Sequence, residues 1–173
     1  MKDAKGHWVE FLEIKEELWK KSIQETLNRI PKLLESAEKL LDNGGNEAIC
    51  SGLYTYAVEE YGKVLLLKQC SPSDGKVKIK YKNGFLNHDE KFKVAAEALP
   101  EECKILSSGL WDSAIWDVDI FDTERVVADF EARMAIFYCD FLDSGDDIKP
   151  VPQVDKARLK KAINKLRLKA LGT

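Results

Sequence analysis

The sequence has little cysteine and less histidine: four and two residues in a chain of 173. Cys50, Cys70, Cys103 and Cys139 form no Cys-x-x-Cys pair, a pattern that speaks against a zinc ribbon and against a disulfide framework. The expectation is reduced thiols in apolar surroundings, no metal and no cofactor. No apolar run approaches the roughly 18 residues of a membrane helix, and Met1 to Gly6 is charged where a secretory leader would be apolar. A cytoplasmic protein without membrane contact is therefore expected. Neither charge sign dominates: 27 Lys and Arg stand against 30 Asp and Glu, so no global field draws in nucleic acid or an anionic membrane. What is present, 45% hydrophobic and 33% charged residues, describes one globular domain with enough core to fold without staples.

Between Trp8 and Leu41 the apolar residues recur at spacings of three and four, a helical pattern. Pro31 makes it either two helices or one kinked near Ile30, and Asp42-Asn43-Gly44-Gly45 ends it. A second helix is expected from Asn46, its N-cap, to Cys70, with Ile49, Leu53, Tyr56, Ala57, Val64 and Leu67 as its apolar residues. It should be the most buried. Ser71 to Gly75 is a cluster of turn formers, and Lys76 to Lys82 alternates strictly before Asn83-Gly84. With no second strand in view, this stretch reads as an exposed loop, with at most a small ribbon. Asn87 caps a short helix from His88 to about Ala98, and Trp111 and Trp116 read as anchors of a less regular stretch. A strong helix is expected from Asp122 or Thr123 to about Leu142, and a basic one, opened by Asp155, from Lys156 to Leu171. The fold class is all-α, a bundle of about five or six helices. Residues 1–150 form the bundle with an N-terminal helical extension, and 151–173 supply a basic C-terminal helix packed on the same domain.

Two blocks carry candidate chemistry. In the second helix, Glu59 and Glu60 stand one turn before Lys63, so one ammonium reaches either carboxylate. An exposed pair of that kind is worth only about 0.3 to 0.5 kcal/mol and need be no more than a solvated ion pair. Gly62 argues for more, because a mid-helix glycine costs roughly 1 kcal/mol relative to alanine unless another backbone approaches closely. In the second block, His88 and Lys91 share the first turn of a helix, where free amides and the dipole favour an anion such as phosphate and disfavour the imidazolium. A neutral base is one reading of His88; a residue that merely completes the capping turn is the other.

Glu59-Glu60-Tyr61-Gly62-Lys63 in a long apolar helix, followed about 25 residues later by His88-x-x-Lys91, resembles the abortive infection protein V (AbiV) family of the HEPN superfamily. The resemblance spans roughly residues 25–142. It implies a helical bundle, a homodimer, and a role in antiviral defence, with RNA or the translation machinery as target. Many HEPN proteins are metal-independent ribonucleases that use an R-x(4-6)-H motif at a dimer cleft. This chain departs from that pattern, because no arginine lies four to six residues before His7 or His88. If cleavage is retained, the resemblance assigns acid-base work to His88, phosphate contact to Lys63 and Lys91, and orientation of the basic groups to Glu59 or Glu60. The alternative is an inactive helical module that binds a phage or host protein.

Charge is also unevenly placed. Residues 112–147 carry eleven carboxylates against two arginines, without the order of a calcium loop, and read as a solvated acidic surface. Residues 155–169 carry seven Lys or Arg and one Asp, a stripe suited either to RNA or to an acidic surface of its own or a second chain.

Overall fold

The computed structural model describes residues 10–81, 87–99 and 155–172. The expected helix at Asp122 to Leu142, the anchors Trp111 and Trp116, the acidic stretch 112–147, His7 and the 150/151 boundary lie outside the described residues.

Strand β1 (Phe11–Lys15) leads directly into helix α1 (Glu16–Asp42), which is followed by α2 (Glu47–Lys68). Strands β2 (Pro72–Ser73) and β3 (Lys76–Lys80) come next, then α3 (His88–Ala98) and α4 (Lys156–Leu171). Four helices thus dominate the described residues, and none is long and apolar enough to cross a membrane.

Helix α1 is continuous through Pro31, which settles the choice between two helices and one. Proline removes the backbone bond to Leu27 and costs about 3 kcal/mol inside a helix. Ile30, Leu34, Ala37 and Leu41, spaced one turn apart and buried in a core shared with α2, α3 and α4, offset it, at roughly 1.5 to 3 kcal/mol for each large side chain. The Oδ1 of Asn46 accepts from the amide of Ile49 (3.3 Å) at the start of α2, as the sequence led one to expect. Helix α2 is central: Cys50, Tyr54, Ala57, Val58, Tyr61 and Val64 are all buried. Ile49 and Tyr56, counted above with its apolar set, are instead exposed. A helix enclosed on most sides has no single stripe from which its outer residues can be told.

Helix α4 contributes Leu159, Ala162, Ile163 and Leu166 to the same core. Its N-cap is Asp155, whose Oδ1 accepts from the amides of Ala157 (2.9 Å) and Arg158 (3.1 Å). Its basic stripe meets α1, with Arg167 paired to Glu38 (2.7 Å) and Lys160 to Asp42 (2.5 Å).

A strictly all-α class does not hold, because a three-stranded antiparallel sheet of order β1-β3-β2 is attached to the helices. The stretch read as an exposed loop is its central strand, and the partner lay inside the stretch read as helix from Trp8. Phe11 pairs with Lys80 and Lys15 with Lys76, so Leu12 and Ile14 fall on the same face as Ile79 and Val77. That face covers a second apolar cluster with Trp19, Ile23, Leu67 and Cys70. The indole Nε1 of Trp19 donates to the carbonyl of Leu67 (2.8 Å), which also accepts from the amide of Cys70 (3.1 Å) where α2 ends. Between β2 and β3, Asp74 (φ 50°) and Gly75 (φ 71°) are both left-handed, the backbone of the two-residue Asp-Gly hairpin turn.

Candidate functional site

The site is built where α3 crosses α2, and Gly62 is the reason the crossing is so close. A Cβ placed on Gly62 would sit 2.0 Å from the carbonyl oxygen of Lys91, so only glycine admits the α3 backbone here. Phe92, Ala95 and Ala96 bury the next turns of α3 against the core. His88 and Lys91, three residues apart on α3, thereby face α2 at Glu59, one turn before Gly62.

One oxygen of Glu59, Oε1, serves both. Lys91 Nζ donates to it at 3.0 Å, and His88 Nδ1 lies 2.7 Å from it. Lys91 and Glu59 side chains are each 7% exposed, whereas that of His88 is 38% exposed. Burial pushes the Glu59 carboxyl upward, but the charge and hydrogen bond of Lys91, and then those of His88, outweigh it and leave its pKa below the ordinary carboxylate value. Glu59 is therefore ionised near neutral pH. An ionised carboxylate only accepts, so Nδ1 of His88 carries the hydrogen. In the neutral ring Nε2 is then the basic nitrogen, the tautomer needed for proton transfer.

The adjacent residue, Glu60, opens a second network. Its Oε1 accepts from Lys63 on the same helix, and its Oε2 lies 3.5 Å from Nη1 of Arg29 on α1. Thus two consecutive carboxylates of α2 gather three cations and an imidazole from three helices. All five residues proposed from the sequence belong to these two networks: Glu59 with His88 and Lys91, Glu60 with Lys63. Sequence reasoning missed Arg29, because its partner is 31 residues away and no helical spacing connects them. The only trace was local: Arg29 precedes buried Ile30 on the helix that must pack on α2.

Helices packed around a buried, charge-bearing central helix, with Glu59-Glu60-x-Gly62-Lys63 answered by His88-x-x-Lys91, are consistent with a HEPN-type bundle. The chain belongs to the AbiV family of HEPN domains, whose family model matches residues 18–167. No curated protein and no solved structure matches the chain significantly.

Proposed function

We propose that this chain is an abortive-infection defence protein that acts on RNA, with His88 as its acid-base residue. Membership of the AbiV family supports the defence role. The observation that carries the chemistry is the shared oxygen of Glu59, which holds Nδ1 of a half-exposed imidazole and is itself fixed by buried Lys91. In this reading Nε2 of His88 takes the proton of a ribose 2′-hydroxyl and that oxygen attacks the adjacent phosphorus. The bond to the 5′-oxygen breaks, and the departing oxygen takes a proton from water. The products are a 2′,3′-cyclic phosphate and a free 5′-hydroxyl, and no metal takes part. Lys63 and Arg29 stabilise the phosphorane charge, and Lys91 acts through Glu59. The working unit is a homodimer, in keeping with the family.

A second reading is an inactive module binding a phage or host protein. It is favoured by the pairing of Lys91 with Glu59 beside the Gly62 contact, which would lock α2 to α3 even without chemistry.

The deciding experiment incubates structured and single-stranded RNA with the protein in EDTA, comparing the parent with His88→Ala. Cleavage by the parent that falls with His88→Ala supports catalysis. No cleavage by the parent, with protection against phage retained in both, supports the binding module.

A further inference from the structure

The outer face of the sheet plays no part in the α2–α3 site, yet it is the most one-sided charged surface among the described strands. Strand alternation places Val77 and Ile79 inward and Lys76, Lys78 and Lys80 outward, and on β1 it places Phe11, Glu13 and Lys15 outward beside them. The register sets Lys15 directly opposite Lys76, and two like charges facing each other across a strand pair are destabilising. Glu13 answers four lysines, and it approaches Lys76 at 3.7 Å. The ammonium of Lys78 lies 4.4 Å from the ring centroid of exposed Phe11. A face meant only to stay solvated is served as well by balanced signs; four lysines to one carboxylate, with Lys15 set against Lys76, leave a net positive field for a polyanion.

We infer that this face binds the phosphate backbone of single-stranded RNA, the lysine row tracking phosphates and Phe11 offering a surface on which a base can stack. Successive lysines of β3 are roughly 6.6 Å apart along the strand, and a flexible single strand can follow such a row where a rigid duplex presents only part of its backbone. The basic stripe of α4 is the less suitable surface, since Arg167 and Lys160 already meet Glu38 and Asp42. The choice of RNA over another polyanion rests on the proposed function; the surface itself does not. Substrate would thus be held by the sheet while the α2–α3 site acts on it.

The test is fluorescence anisotropy of a labelled oligouridylate against the full chain across a salt series. The triple variant Lys76→Gln, Lys78→Gln, Lys80→Gln is expected to bind on the order of tenfold more weakly at physiological salt. Its salt slope should fall by about 0.7 per lysine, about 2 in all. Removing the same charge from α1 with Lys21→Gln, Lys32→Gln and Lys39→Gln should change neither affinity nor slope to that degree. Glu13→Gln should bind more tightly than the parent, a gain that misfolding cannot imitate. Unchanged affinity and slope in the triple variant, no binding by the parent, or tighter binding of polyglutamate than of the oligouridylate would each overturn the inference, the last in favour of an acidic protein surface. The two readings fail separately: loss of cleavage in His88→Ala with binding intact concerns only the catalytic site, and a flat salt slope concerns only the sheet.

Discussion

The carbonyl of Lys91 occupies the space that any side chain at residue 62 would need. Gly62→Ala is therefore expected to destabilise the protein despite alanine's helix preference of about 1 kcal/mol, because the obstacle is backbone and cannot swing aside. Overpacking of this kind costs about 1 to 3 kcal/mol, or roughly 2 to 10 °C in Tm for a domain of this size. Thermal denaturation followed by circular dichroism reads it. A variant as stable as the parent would show that α3 does not approach α2 so closely.

Glu59 links stability to pH. Its folded pKa lies below the unfolded value of about 4.3, so its contribution is complete above that value and is lost as pH falls through the folded value. Glu59→Gln should remove this part of the acid dependence. It should also cost about 3 kcal/mol at neutral pH, because the buried ammonium of Lys91 loses the carboxylate charge of the oxygen it donates to. Urea unfolding of parent and variant between pH 3 and 7 measures both effects.

For catalysis, His88→Ala should lower RNA cleavage by roughly 100-fold to 10,000-fold. Lys63→Ala should weaken RNA affinity or phosphate stabilisation more at low than at high salt. An unchanged rate in His88→Ala, with native circular dichroism, would remove the imidazole from the mechanism.

Trp19→Phe keeps most of the apolar contact with the second cluster and deletes the bond to Leu67. A loss of about 1 kcal/mol is expected, a few degrees in Tm. A larger loss would mean that a phenyl ring does not fill the place of the indole in the cluster.

A homodimer should scatter light as about twice 19.6 kDa at micromolar concentration. A monomer mass at every salt concentration would rule out the dimer.

The four helices among the described residues and both polar blocks were legible because their signals are local: period, caps, and charges one turn apart. Gly62 gave away the close crossing by its cost alone. The sheet was not legible, because Phe11 to Lys15 continues a helical spacing from Trp8 and its partner strand is more than sixty residues away. Arg29 was missed for the same reason, its meaning lying on another helix. Pairing across long separations leaves no trace in periodicity, and the strict alternation from Lys76 was the one local sign that a second strand existed.

That long-range pairing sets an order of events during synthesis. β1 leaves the ribosome first, yet its hydrogen-bonding edge must wait until β3 has been made and α1 and α2 have folded back to bring the two together. Until then Leu12 and Ile14 lack Ile79 and Val77, the neighbours beside them in the finished sheet. The sheet is thus the last seal on the Trp19 cluster, and a nascent chain halted near residue 70 would carry an open strand as a target for chaperones and for mispairing with its neighbours.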